Sequence, residues 1–365
     1  MIFETTMSIE REILDYLENH IRELIPLQGL SARIEVAPRS EEKERQPDFI
    51  AHILYKKSQF RVIGEIVSQQ SFSMFKAKLA LLKSHAGKKE GLVPLVVAKY
   101  LSQDRRKRCR EAGVYFLDLS GNVFLEYDGL YIERIGFPNR FPEKRKGRSP
   151  FSDKASLILR VALSDIKKVW GVRELAHSVG LDPGFVSRMA QELEKRNYVS
   201  RIDSKIKLRD PKSLLEDWVR EYDYKRNQEV RYFCLAKGPE EIIDKLIAAR
   251  IPDDIPYALG LHAGANLVAP YAVYNEVHIY IQNRNSINQL VNKLKLREVQ
   301  VQDGANLVFL LPYYKHSAFY GKRSIRNIWV VSDLQLYLDL YKYPIRGLEQ
   351  AEHLYEKRLK HIIKG

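Results

Sequence analysis

The sequence predicts a multidomain α/β protein, and three observations support this fold class. In residues 1–148, short apolar runs typical of strands alternate with helical segments. Residues 149–228 are mostly helical and end in two short strands, and residues 229–365 mix helices with strands again. Since a domain averages roughly 150 residues, a chain of 365 residues is long enough for two or three domains. We therefore expect three domains with these boundaries.

Composition restricts the class of protein further. The chain has 60 Lys and Arg against 46 Asp and Glu, a formal net charge of +14, which indicates a polyanionic partner such as nucleic acid. Its two cysteines are too few for a disulfide framework or a structural zinc site. No apolar run approaches the roughly 20 residues of a membrane-spanning helix, and the first residues are acidic where a signal peptide is basic. We expect a cytoplasmic protein without a membrane partner.

The first domain is predicted to open with an amphipathic helix over residues 8–25, with Ser8 as its N-cap. Strands are predicted in PDFIAHIL, FRVIGEIV, PLVVAKYL, VYFLDL and VFLEYDGLYIERI. Helices are predicted in FSMFKAKLALLKSHA and SQDRRKRCREAG. The basic segment NRFPEKRKGRSPF contains Pro and Gly breakers, so it is predicted to be a linker with a boundary near residue 148.

The middle domain carries the pattern of a helix-turn-helix. Two helices are predicted around a tight turn at Gly180 and Leu181, with Asp182 as the N-cap of the second helix and Pro183 at its first position. One face of each helix is apolar, formed by Val172, Leu175 and Ala176 and by Val186, Met189 and Leu193. The opposite face of the second helix carries Phe185, Ser187, Arg188 and Gln191. Arg and Gln side chains are suited to reading guanine and adenine in a major groove.

A two-stranded ribbon follows in NYVSRI and KIKL, joined at Asp203 and Ser204. It carries Arg201, Lys205 and Lys207, which are suited to phosphate contacts. The block resembles the winged helix-turn-helix domain of bacterial transcription regulators. This resemblance implies binding of double-stranded DNA, with a homodimer on a pseudo-palindromic site. The alternative is a winged helix used only for protein contacts.

Two acids in the first domain suggest different chemistry. Asp48 follows a proline, and Glu65 comes seventeen positions later, each in or beside a strand-like run. Acids that converge from neighbouring strands can hold a divalent metal ion at a phosphodiester. This order resembles the PD-(D/E)xK restriction-endonuclease-like fold. In that pattern a Lys stands two residues after the second acid, where this chain has Val67, and Lys76 and Lys78 are candidates for a displaced lysine.

Three interpretations of the first domain stay open. One is a Mg²⁺-dependent DNA nuclease, targeted by the winged helix, with Asp48 and Glu65 as metal ligands and catalytic residues and Lys76 or Lys78 as the lysine. The second is a helper domain in which the acids only end strands. The third is a degenerate domain that binds nucleic acid through the basic run at 105–110. We expect no cofactor or metal ion outside the nuclease alternative.

The end of the chain carries the phrase IWVVSDLQLYLDLYKYPIRGLEQAEHL. It resembles the C-terminal domain of AbiEi-type antitoxins of type IV toxin-antitoxin systems. The residues that carry the match are Val331, Ser332, Gln335, Leu336, Tyr337, Asp339, Leu340, Pro344, Arg346, Gly347, Glu349 and Ala351. In that family a winged helix binds the operon's own promoter and the C-terminal domain counters the toxin. The family's winged helix normally begins the protein, whereas here another domain precedes it.

The C-terminal domain also resembles a nucleotidyltransferase scaffold in GLHAGANL and NEVHIYI. Those enzymes need two alternating acids on one strand, and this strand offers Glu276 and then His278. We therefore expect an inactive scaffold, with His262 and His278 as ordinary polar residues. The function predicted from these features is a sequence-specific DNA-binding transcriptional regulator, the antitoxin and autorepressor of a toxin-antitoxin operon. The alternatives are the nuclease and an antitoxin that binds its cognate toxin without binding DNA.

Overall fold

The computed structural model describes residues 2–36, 47–56, 58–67, 72–87, 91–142, 149–203, 205–252, 254–299 and 304–364. The chain divides into two compact units, Met1–Lys146 and Gly147–Gly365. Both units combine helices with a seven-stranded sheet, which confirms the predicted multidomain α/β class.

The first unit is a seven-stranded mixed sheet with helices on both faces. The strands lie in sequence order, antiparallel from β1 to β3, parallel from β3 to β5, and antiparallel again to β7. Helix α1 covers one face, and α2 and α3 cover the other. The elements are α1 Ile2–Leu24, β1 Leu30–Val36, β2 Phe49–Tyr55, β3 Ser58–Val67, α2 Phe72–Ala86, β4 Leu92–Ala98, α3 Gln103–Ala112, β5 Tyr115–Asp118, β6 Val123–Tyr127 and β7 Leu130–Arg134.

The central strands of this sheet are apolar almost throughout because both of their faces are covered. In β4 all residues but the first are buried. Close packing also explains Gly64 in β3, since a Cβ atom there would lie 2.0 Å from the ring of Phe49. The packed strands β2 and β3 position Asp48, directly before β2, and Glu65, within β3.

Two features of the first unit differ from the sequence prediction. Helix α1 begins at Ile2, six residues before Ser8, so the prediction of Ser8 as its N-cap was wrong. Strand β1 was not predicted. It is an edge strand in which apolar residues alternate with Arg33 and Glu35, so it lacks the continuous apolar run that marks the inner strands. Residues 143–148 of the predicted linker lie outside the described residues.

The second unit begins with four helices and a small antiparallel sheet of strand order β8-β10-β9. Helix α4 coincides with the predicted segment DKASLILRVALS. The elements are α4 Asp153–Ser164, β8 Trp170–Gly171, α5 Val172–Val179, α6 Pro183–Lys195, β9 Val199–Ile202, β10 Lys205–Leu208, α7 Pro211–Glu221 and a short 3₁₀ helix Tyr224–Arg226.

A second seven-stranded sheet completes this unit, with strand order β14-β11-β15-β13-β12-β17-β16. Its strands are β11 Gln228–Phe233, β12 Tyr257–Leu259, β13 Val277–Ile281, β14 Arg297–Glu298, β15 Leu307–Leu311, β16 Arg323–Ile325 and β17 Ile328–Val330. Its helices are α8 Pro239–Ala248, α9 Leu261–Val268, α10 Arg284–Leu294, α11 Asp333–Tyr341, α12 Gly347–Leu354 and α13 Lys360–Lys364, with a π-helical turn Tyr355–Leu359 between the last two. Of the predicted strand REVQVQ only β14 is seen, since residues 300–303 lie outside the described residues.

One hydrophobic core runs through the whole second unit, from Phe151 to Ile363. Helix α4 lies inside it, with every residue from Ala155 to Leu163 buried. The segments 149–228 and 229–365 therefore fold around the same core.

Candidate functional site

Helices α5 and α6 are joined by a turn whose geometry follows from its sequence. Gly180 ends α5 in the left-handed conformation (φ 63°), and the next amide, of Leu181, donates a hydrogen bond to the Ala176 carbonyl at 3.0 Å. Asp182 then caps α6, since its Oδ1 accepts a hydrogen bond from the Phe185 amide at 2.9 Å. Pro183 holds the first helical position. The predicted turn and caps are confirmed, and they fix the direction in which α6 leaves the turn.

The side chains on α6 divide between the core and solvent. Val186, Met189 and Leu193 are buried, as predicted, while Arg188 and Gln191 are exposed. Two predicted contact residues, Phe185 and Ser187, are only half-buried, and Phe185 packs against the core. The solvent-facing surface of α6 therefore offers Arg188 and Gln191 most fully.

The ribbon β9–β10 follows α6 directly. Ile206 and Leu208 point into the core, and Lys205 and Lys207 alternate with them and are exposed. Arg201 is held differently, because its amide donates to Glu194 Oε1 at 3.2 Å and its Nη1 lies 3.7 Å from Glu194 Oε2. Ser204 in the predicted turn lies outside the described residues.

Net charge does not distinguish residues 149–228 from the rest of the chain. Residues 149–228 contain 16 Lys and Arg and 12 Asp and Glu, an excess of four out of the total of 14. Any preference for a polyanion there depends on which side chains face solvent, such as the lysines of β10.

In the first unit, the structure brings together Asp48, Glu65 and Lys78. The Lys78 Nζ lies 3.0 Å from Asp48 Oδ2 and 2.7 Å from Glu65 Oε2, and it donates a hydrogen bond to the Ile66 carbonyl at 2.8 Å. Lys76 lies elsewhere, exposed, with its Nζ 5.1 Å from the centroid of the Phe72 ring. Of the two candidate lysines, only Lys78 reaches the acids.

Burial and the charges of the neighbouring side chains act in opposite directions on the pKa values of this cluster. Burial raises the pKa of Glu65 to about 7, although the Lys78 ammonium acts in the opposite direction. Burial also opposes the charged form of Lys78, but the carboxylates of Asp48 and Glu65 outweigh it and raise the pKa of Lys78 above its ordinary value. Val67, at the lysine position of the nuclease pattern, is buried in the core. The cluster is thus a partly buried ion-pair network closed by a lysine from α2.

The basic run 105–110 on α3 is largely engaged within the first unit. Its side chains bond to acids and to an amide: Arg106 to Asn122, Lys107 and Arg108 to Glu111, and Arg110 to Glu133. Such local pairing is typical of a solvated helix face, and it leaves less free charge for a phosphate patch than the sequence suggests.

Strand β13, for which the sequence predicts an inactive nucleotidyltransferase scaffold, holds no pair of acids. Glu276, just before the strand, is bound by Arg231 at 2.7 Å, and Arg231 also binds Glu229 at 2.6 Å. His278 is buried, which lowers its pKa to about 4 and keeps it neutral. The His262 Nε2 lies 2.8 Å from the Ile345 carbonyl. Within the described ranges no three His, Cys, Asp or Glu side chains are arranged to hold a metal ion.

A buried polar network joins α4 to α11, and we call it the junction: Arg160, Tyr222, Tyr280, Gln335 and Asp339. Arg160 donates to Gln335 Oε1 at 2.6 Å, and Gln335 donates to Asp339 Oδ1 at 2.9 Å. The Tyr222 and Tyr280 hydroxyls donate to the same Asp339 oxygen at 2.6 and 2.8 Å. Burial lowers the pKa of Arg160 and raises that of Asp339 to about 7.

Core packing, a helix cap and the junction together explain most of the phrase at the end of the chain. Gln335 and Asp339 are network members, Ser332 caps α11 by accepting from the Gln335 amide, and Val331, Leu336, Leu340 and Ala351 are core residues. Gly347 is required because a Cβ atom there would lie 2.4 Å from the Leu340 carbonyl oxygen. The phrase therefore encodes packing and buried hydrogen bonds.

Residues 207–360 match the family described as "Transcriptional regulator, AbiEi antitoxin, Type IV TA system". The match begins within β10 and covers less than half of the chain. It supports an antitoxin role in a type IV toxin-antitoxin system and a partner toxin. No curated protein and no solved structure matches the chain. Within the described residues, no helix is both long and apolar enough to cross a membrane.

Sequence reasoning missed Arg160, which links α4 to the segment that matches the AbiEi family. A signal was present, because Arg160 is the one charged residue inside the apolar run from Leu157 to Leu163. A lone charge in such a run indicates a buried group with a specific partner.

Proposed function

We propose that this protein is a DNA-binding transcriptional regulator, the antitoxin and autorepressor of a toxin-antitoxin operon. Residues 149–228 act as a winged helix-turn-helix, with α6 as the recognition helix and the ribbon β9–β10 as the wing. The observation that carries the proposal is the exposure of Arg188 and Gln191 on α6, beside a ribbon whose Lys205 and Lys207 face solvent.

The roles of these side chains follow from their chemistry. Arg188 and Gln191 are suited to base edges in a major groove, and Lys205 and Lys207 to the phosphate backbone. Arg201 contributes less to phosphate contacts because Glu194 already binds it. Phe185 and Ser187 are half-buried at the start of α6. They support the exposed face that carries Arg188 and Gln191, and any contact they make is with the DNA backbone. The regulator binds a pseudo-palindromic site as a homodimer.

The family match adds the antitoxin part of the proposal. The matched segment 207–360 begins within β10 and includes every residue of the junction except Arg160. In our proposal this segment binds and neutralises a cognate toxin while the winged helix represses the operon.

DNA binding is tested with the fragment upstream of the protein's own gene, at several salt concentrations, with and without Mg²⁺. We expect a saturable complex with intact DNA. Replacing Arg188 by Ala is expected to cost about 1–3 kcal/mol and to relax sequence preference. The matched control is Arg284→Ala, an exposed arginine at the start of α10, which is expected to bind as the wild type does.

The wing is tested by salt dependence. The double variant Lys205→Ala/Lys207→Ala is expected to reduce the slope of log K against log salt by about 2, since each lost phosphate contact removes about 0.9. If the wild type does not bind the upstream fragment in the presence of nonspecific competitor DNA, the proposal of a DNA-binding regulator is refuted.

Neutralisation is tested by expressing the protein with a toxin encoded beside its gene. We expect growth to be restored by the wild type and equally by Arg188→Ala, because the two activities use different surfaces. Failure of the wild type to restore growth would refute the antitoxin part and leave DNA binding as a separate question.

A further inference from the structure

Three oxygen atoms in the first unit converge on a single point. They are Asp48 Oδ2, Glu65 Oε2 and the Ile66 carbonyl oxygen, from the start of β2 and from adjacent positions of β3. Two carboxylates and a carbonyl form a donor set that suits Mg²⁺, Mn²⁺ or Ca²⁺. The resemblance to the PD-(D/E)xK fold implies such an ion here.

The point on which these oxygens converge already holds a cation of the chain. The Lys78 Nζ lies 2.7 to 3.0 Å from all three oxygens, and an ammonium has three N–H donors. Each donor thus has a partner, and the shell around Nζ is complete. A divalent ion at the same point would overlap the ammonium and be repelled by it, so the residues present do not fit a metal ion.

The fold holds Lys78 in this position. Its side chain is 19% exposed, and α2 is fixed on the sheet by the buried Phe75, Leu79 and Leu82. Withdrawal of the ammonium would break three charge-assisted hydrogen bonds and leave two carboxylates facing each other in a mostly buried site.

We propose that the Lys78 ammonium is the resident cation of this site, in place of a divalent metal ion. The first unit therefore binds no divalent cation at Asp48 and Glu65, and no phosphodiester is cleaved there. Removal of the lysine head group turns the same three oxygens into a divalent cation site. This inference is independent of the proposed regulator function.

The test is calorimetric titration of the full-length protein with MnCl₂, followed by CaCl₂. We expect no saturable site in the wild type up to millimolar concentrations. In Lys78→Met we expect one equivalent to bind at least tenfold more tightly than any binding to the wild type. Adding Glu65→Gln to that variant is expected to abolish the site.

The matched control is Lys76→Met, which removes the same charge two residues away on the same helix and is expected to behave as the wild type. A wild-type site of one equivalent that disappears in Asp48→Asn would overturn the proposal. So would a Lys78→Met variant with a native circular dichroism spectrum and no cation binding. If Lys78→Met does not fold, the titrations of the wild type and of Asp48→Asn still test the proposal.

Discussion

Replacing Asp339 by Asn is expected to change the pH dependence of stability of the second unit. Asp339 is fully buried and its pKa is raised from 3.8 to about 7, so the folded state binds a proton that the unfolded chain releases near pH 4. The stability from this preference is present in full below about pH 4 and is lost as the pH rises through 7. A gap of about three pKa units corresponds to a loss on the order of 4 kcal/mol.

Asparagine is an informative substitute because all three donors to this side chain, from Tyr222, Tyr280 and Gln335, reach the same oxygen, Oδ1. An amide oxygen accepts these bonds equally well, and the variant cannot ionise. The quantity to measure is the free energy of unfolding of the wild type minus that of the variant. It is expected to fall by about 1.4 kcal/mol per pH unit between pH 4 and 7 and to be constant above pH 8.

Urea unfolding followed by tryptophan fluorescence reports on the second unit. All three tryptophans, Trp170, Trp218 and Trp329, belong to the second unit, so the signal does not follow unfolding of the first. Glu65 also has a raised pKa, but it lies in the first unit and is common to both proteins. Asp244→Asn, at an exposed carboxylate on α8, is the control. A wild-type minus variant difference that is flat from pH 4 to 8 would refute the assignment of a buried, protonated Asp339.

Three further variants test the packing and capping of the second unit by the same unfolding assay. Gly347→Ala is expected to cost at least about 2 kcal/mol, because its Cβ would overlap a carbonyl oxygen. Gly238→Ala has open space around its Cβ and loses only the preference for glycine at the N-cap of α8, so it should cost under about 1 kcal/mol; equal effects would contradict this argument. Asp182→Ala is expected to cost about 1 kcal/mol through loss of the α6 cap, and no loss would show that the cap contributes nothing. Tyr222→Phe is expected to cost about 1–3 kcal/mol because Asp339 loses a buried donor, and a neutral result would exclude that bond as a stabilising contact.

The features that the sequence predicted well are local ones. The turn at Gly180, the cap at Asp182 and the apolar face of α6 depend on residues within a few positions of one another, so propensity and spacing suffice to predict them. The same holds for α2, whose bounds coincide with the predicted segment, and for the inner strands, whose apolar runs are continuous.

The features that the sequence did not resolve depend on pairing between distant residues. Arg160 and Gln335 are 175 positions apart, and no local pattern connects them. Which of Lys76 and Lys78 reaches the two acids depends on which side of α2 faces the sheet, since positions two apart lie about 200° apart around a helix. The buried Phe75, Leu79 and Leu82 mark the face toward the sheet, and Lys78 borders it. The sequence pattern indicates which side of α2 faces the sheet, but it does not indicate that the Ile66 carbonyl lies beside the two acids.

The position of α4 inside the core of the second unit has a consequence for how the protein is made. On the ribosome, Arg160 emerges 175 residues before Gln335, and Ser156 emerges 161 residues before its partner Ser317. At about 5–20 residues per second, these intervals last roughly 8–35 s. During that time the apolar faces of α4 lack their final neighbours, so the nascent segment is a target for chaperones and proteases. A chain released early would lack the partners that bury α4, so we expect this helix to remain without its core contacts in such a chain.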